Sequence, residues 1–216
     1  MKNAVALLLL IALITFPACS SFHNNSNEQG ISLTNEQAVP NENADSGATD
    51  EQIVTERAME AVQLLKEQNF NQLSSMVHPE KGVRLSPYAF VYLDQDITLS
   101  ADQLVSESVS REMRVWGHYD GSGEPIEATF SGYYEQFIFD VDFSQPDETS
   151  FNRRIGQGTT ANNAFEAYPE AHIVEFHIRG IEEEAEGMDW RSLRLAFEQL
   201  DGTWYLVGII HDQWTI

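Results

Sequence analysis

Apolar residues in the segment 53–65 recur at helical spacing. Val54, Ala58, Ala61, Val62 and Leu65 fall on one stripe, and Glu51, Gln52, Glu56, Arg57, Glu60 and Gln63 fill the rest of the wheel. Such a stripe predicts an amphipathic helix with one face on a core. Asn69 and Phe70 interrupt the period, and a second short helical pattern carries Leu73, Met76 and Val77. "HPEKG" ends it, because Pro79 disfavours helical geometry at His78 and Gly82 frees the backbone. Extended chain is expected from Val83 to Leu93, and a further short helix near Tyr133 to Ile138.

Toward the C-terminus the period falls to two. "HIVEFHIRG" and "SLRLAFEQLDGTWYLVGIIHDQW" alternate around an Asp201-Gly202 turn, the signature of a hairpin. Pairing about that turn sets Phe197 opposite Leu206, Leu195 opposite Gly208 and Leu193 opposite Ile210. A strand from His172 to Arg179 adds Val174, Phe176 and Ile178 to the same face, the expected core. The reverse face is expected to carry Glu175, His177, Arg179, Arg194 and Glu198 beside Tyr205, Val207 and Ile209, a mixture suited to a homodimer surface. The segment 152–163 has the composition of a loop. Helices first, short strands in the middle and a long meander at the end predict a single α+β domain over residues 51–216. Its N-terminal helices pack on one face of a curved antiparallel sheet.

Ahead of this domain the pattern differs. Lys2 precedes an unbroken apolar run from Ala4 to Ile14, well short of the ~20 residues that span a bilayer, and this is the form of a secretion signal. The only cysteine, Cys19, stands just beyond it in "ITFPACS". "FPAC" resembles the lipobox of bacterial lipoproteins, although Phe16 and Pro17 depart from the commonest form. The resemblance implies cleavage after residue 18, lipid attachment at Cys19 and a membrane anchor in the cell envelope. With no second cysteine, an intramolecular disulfide is excluded. Residues 20–50 hold five acids, no Lys or Arg and no sustained period, which predicts a flexible tether from the anchor at 19 to the domain. Such a coil spans on the order of 30 Å.

Charge narrows the partners. With 34 acids against 12 bases the formal net charge is −22, which repels nucleic-acid phosphates and anionic headgroups. The expected partners are the membrane through the anchor, an unknown small molecule or envelope protein, and a second copy of the chain.

The stretch "WGHYDGSGEPI" concentrates the most candidate chemistry. A calcium loop starting at Asp120 would place Pro125 where glycine belongs and Ser131 where a bidentate Glu belongs. A P-loop fails because no Lys follows Lys81, and a dinucleotide fingerprint fails because Ile126 stands where the third glycine should be. A turn survives, with Asp120 and Ser122 bonding nearby amides, either as a turn alone or as one that also presents Asp120 or Glu124 to a pocket. Neither a metal nor another cofactor is expected, since the histidines form no ligand spacing and His172 and His177 point to opposite faces of one strand. Acid–base chemistry would fall to Asp189, His211 and Asp212. The candidate pocket comprises His78, Tyr88, Trp116, Asp120, Trp190 and Trp214.

The element order, with "AVQLLKEQNFNQLSSMVHPEKG" at the start and "LRLAFEQLDGTWYLVGIIHD" at the end, resembles the cone-shaped fold of the nuclear transport factor 2 superfamily. "VHPEKGVRLSPY", "WGHYDGSGEPI", "GMDW" and "HDQWTI" further resemble a family of bacterial lipoproteins that carries no known activity. The superfamily includes dehydratases, isomerases and plain binding modules, so the fold does not select a function. The expected function is non-catalytic binding of a ligand or partner, with an acid–base lyase, isomerase or hydrolase as the alternative.

Overall fold

The computed structural model describes residues 47–180 and 185–215. The apolar run from Ala4 to Ile14, Cys19 and the expected tether up to residue 46 lie outside the described residues. Helix α1 (Asp50–Lys66) starts on a capping box. The Thr49 hydroxyl accepts from the Gln52 amide, and the Gln52 side chain accepts from the Thr49 amide. Every residue of the predicted stripe is buried. Helix α2 (Phe70–Ser74) is capped by Asn69, and β1 (Val83–Ser86) follows. The predicted extended run stops as a strand at Ser86, because Pro87 has no amide to continue a ladder.

Next come β2 (Thr98–Leu99), α3 (Ala101–Val109), the strands β3 (Arg114–His118) and β4 (Pro125–Ala128), and α4 (Phe130–Phe137). Strand β5 (Glu148–Phe151), α5 (Ala164–Ala167), β6 (His172–Ile178), β7 (Arg191–Leu200) and β8 (Thr203–Gln213) complete the order. A six-stranded sheet runs β2-β1-β8-β7-β6-β5, and β3 pairs with β4 apart from it. All pairs are antiparallel except β1 with β8, where Leu85 stands opposite Ile209. The fold is thus α+β with a mostly antiparallel sheet.

The β7–β8 hairpin turns at Asp201 and Gly202, both left-handed, at φ 50° and 79°. Phe197 faces Leu206 as expected, but the ladder then shifts so that Ala196 faces Gly208. Val207 is the extra residue of a bulge. Leu195 therefore pairs with Ile209 and Leu193 with His211, in place of Gly208 and Ile210. The shift moves Ile209 into the core beneath the helices, off the reverse face.

That core joins α1 to α4, Trp116 and Ile126 of the small sheet, and Val174, Leu193, Leu195, Phe197 and Leu206 of the large one. Part of the reverse face is covered by the chain itself, while Arg179 stays exposed and Tyr205 half-buried. Val91, Ala164 and Tyr168 cover Ile173, Ala196, Val207 and Ile210, and the loop 152–163 closes over the charged part. There Arg194 donates from Nε and Nη2 to Glu175 at 2.9 and 3.0 Å, and from Nη2 to Asp212 at 2.8 Å. Glu175 also accepts from the Ile155 and Gly156 amides. A Cβ on Gly156 would lie 2.5 Å from Ser192 Oγ and 2.6 Å from the Trp190 ring, so only glycine fits this approach.

Candidate functional site

Where β1 ends, the chain from Pro87 to Asp96 faces the β3–β4 hairpin across a cleft of about 450 Å³. The lining comprises Pro87, Tyr88, Phe90, Tyr92, Gln95 and Asp96 on one side, Gly117 to Gly121 and Gly123 on the other, and Thr160 from the covering loop. The volume is that of an ordinary small-molecule site. The hairpin is the turn expected from "WGHYDGSGEPI". The Tyr119 amide donates to Glu124 O at 2.8 Å, Gly123 donates back to Tyr119 O at 2.9 Å, and Gly121 and Gly123 take positive φ. Trp116 anchors it from the core, stacking on Tyr133 and donating from Nε1 to Ala128 O at 2.9 Å.

Three aromatic contacts shape the walls. Tyr88 and Tyr119 each pack against Phe137, at 5.6 and 6.1 Å between ring centroids, and Phe90 packs against Tyr92 at 4.7 Å. Between them lies Asp96, 7 % exposed. The Ser86 hydroxyl and the Tyr92 amide both donate to its Oδ2, at 2.5 and 3.0 Å. Among the described residues Oδ1, which opens on the cleft, accepts no hydrogen bond. Arg84 holds this turn by its backbone, donating from Nη1 to the Leu93 and Asp96 carbonyls. Burial raises the Asp96 carboxyl above the usual carboxylate range, against the pull of Ser86, the Tyr92 amide and Arg84. Burial also raises the Tyr88 hydroxyl, opposed by a backbone hydrogen bond at Asp120. Deeper still, the fully buried Tyr133 hydroxyl has no partner among the described residues and feels both Asp96 and Tyr88.

Asp120 forms the rim. Its Oδ2 accepts from the Thr160 and Thr215 hydroxyls at 2.6 and 2.7 Å, and these bonds hold its carboxyl below the usual range. They tie the hairpin to the covering loop and to the end of the last strand.

Of the expected pocket residues, Tyr88 and Asp120 line the cleft and Trp116 lies buried behind it. The other three do not join them. His78 is buried in the turn before β1, where its Nδ1 accepts from the Glu80 and Lys81 amides. Trp190 packs beside His177 at 5.7 Å, and Trp214 is exposed. The acid–base candidates are dispersed as well. His211 is fully buried on the core side, with Nε2 3.0 Å from Asp140, which is itself paired with Arg191 at 2.6 Å. Asp212 points to the other face and joins Arg194, since successive strand residues alternate. Asp189 lies just ahead of β7, against Gly180. None of these three lines the cleft.

Asp96 is the residue that sequence reasoning missed. Its one available signal was the spacing of Tyr88, Phe90 and Tyr92, aromatic at every second position ahead of an acid-rich turn. Among the described residues no group of His, Cys, Asp or Glu is arranged to hold a metal ion, and no helix is long and apolar enough to cross a membrane. Comparison with protein-family models, curated proteins and solved structures finds no match to the chain.

Proposed function

We propose that this protein is a lipid-anchored, extracytoplasmic binding protein of the bacterial cell envelope, with a nuclear-transport-factor-2-like cone that holds a small molecule without transforming it. The observation that carries the binding function is the cleft, with aromatic walls and the Asp96 carboxyl, one oxygen of which accepts no hydrogen bond among the described residues. Lipid attachment at Cys19 draws its support from the apolar run and "FPAC" in the sequence. The cone draws its support from helices and the small β3–β4 sheet gathered on one face of a larger sheet.

The test is native mass spectrometry of the full chain purified from the membranes of a bacterial producer. The expected result is a chain beginning at a diacylglycerol-modified Cys19 and carrying extra non-covalent mass that Tyr88→Ala abolishes. A chain with unmodified Cys19 overturns the anchor. Bare polypeptide mass, with cleft NMR signals unmoved by a fragment library, overturns the binding function.

One observation favours a second reading, an acid–base lyase, isomerase or hydrolase. Asp96 is a buried carboxyl of raised proton affinity that opens on a cavity. Turnover abolished by Asp96→Asn in a folded protein selects it.

A further inference from the structure

The cleft also carries information about the charge of its occupant. Its lining contains Asp96 and Asp120 and no Lys or Arg. Among the described residues neither carboxylate has a salt-bridge partner, although Arg194, Asp140 and Glu198 elsewhere are all paired. Arg84, the nearest candidate counter-ion, is committed to the Leu93 and Asp96 carbonyls. The two carboxylates are not equivalent. Asp120 spends Oδ2 on Thr160 and Thr215 and Oδ1 on the Gly121 amide, whereas Asp96 keeps Oδ1 unbonded in a site 7 % exposed. Asp96 thus offers the cleft an acceptor oxygen that no donor among the described residues occupies.

The surroundings select what can approach. An anionic ligand meets two carboxylates and neither Lys nor Arg, with His118 the one basic side chain of the lining. A positively charged nitrogen meets the opposite: a counter-charge at Asp96, further negative potential from Asp120, and a lining of tyrosine and phenylalanine rings. The net charge of −22 adds a long-range attraction of the same sign.

We propose, building on the cleft as the binding site, that it takes a small organic cation. An ammonium group, primary to quaternary, sits against Asp96 within the box formed by Tyr88, Phe90, Tyr92 and Tyr119. Free amines and the headgroup of a zwitterionic lipid share this chemistry, and the experiment separates them.

The experiment is an NMR titration of the full chain in detergent micelles with choline, ethanolamine and putrescine. Each is compared with a neutral isostere, 3,3-dimethylbutan-1-ol standing for choline, and a parallel arm uses phosphatidylcholine vesicles. At least one cation is expected to shift the backbone signals of Tyr88, Asp96 and Gly121, and to bind about tenfold more tightly than its isostere. Asp96→Asn is expected to remove that preference. Tyr92→Leu, a change at an exposed ring, is expected to weaken the cation several-fold in a protein of unchanged Tm. Shifts with soluble cations assign a free amine, and shifts with vesicles alone assign the headgroup. Equal binding of cation and isostere, or cleft binding of a neutral isostere alone, overturns the cationic class and leaves the cleft as a binding site. No cleft shift with any probe overturns both.

Discussion

The Thr160 hydroxyl donates to the Asp120 carboxylate at 2.6 Å, across forty residues of sequence. The contact fixes the cleft rim to a loop that is itself held on the reverse face of the sheet by Glu175. Thr160→Val is expected to cost about 0.5–1 kcal/mol, because the bond is charge-assisted but exposed. Hydrogen exchange is expected to quicken at the Gly123 amide and to stay unchanged in β7 and β8. Uniform exchange across the hairpin would show that the turn holds itself.

Arg194 is the strongest structural commitment on the reverse face, 2 % exposed and shared between two carboxylates. Arg194→Met is expected to destabilise by about 3–5 kcal/mol, since it leaves Glu175 and Asp212 buried together without their cation. Urea unfolding, read from the midpoint at constant m, measures it. A double change with Glu175→Gln is expected to cost less than the sum of the single changes, because the two residues share one interaction.

Acid sensitivity should trace to Asp140 and Glu175. Burial pushes both carboxyls up, but His211 and Arg191 override it at Asp140, and Arg194 with two backbone amides overrides it at Glu175, so both end below their usual values. In the window between the lowered folded value and the ordinary one, the unfolded chain binds more protons. Their contribution is therefore present above the ordinary carboxylate value and lost as pH falls from there through the lowered folded value. Burial leaves Asp96 and Asp212 raised, and these act with opposite sign just above that range. Asp140→Asn is expected to flatten the fall of Tm between about pH 5 and 3. An undiminished slope would remove Asp140 from the account.

Gly156→Ala tests the close approach of loop and sheet. The added methyl meets Ser192 Oγ and the Trp190 ring inside 3 Å, and the loop must lift from Glu175 to relieve it. A loss of about 1–3 kcal/mol is expected, with altered Trp190 fluorescence. Gly123→Ala, where a Cβ meets nothing within 4 Å, is the control for turn strain without collision.

Local signals carried the helices and the long hairpin. The α1 stripe and the Asp201-Gly202 turn are contiguous and depend on few distant partners. The Ser100 capping box with Gln103 could likewise have announced α3, which periodicity alone did not. The bulge at Val207 was hidden because β8 is buried on both sides. Leu206, Val207, Ile209 and Ile210 are all apolar, so alternation gives no warning of a slipped register. Asp96 was hidden for the opposite reason. "LDQD" looks like solvated turn, and only contact with Ser86, ten residues earlier, takes it out of water. The expected pocket gathered tryptophans because they are large, whereas the cleft wall is built from tyrosine and phenylalanine.

The last strand of the chain is not an edge of the sheet. β8 lies between β7 and β1 and is the partner through which the earliest strand joins the rest. During synthesis, every segment that emerges before Thr203 lacks that hub, and β1 with β2 has no sheet to join. Burial of the helices beneath Leu206 and Ile209 must likewise wait for β8. Closing the sheet around its earliest strand therefore depends on pairing between segments more than a hundred residues apart, the kind of contact that slows folding.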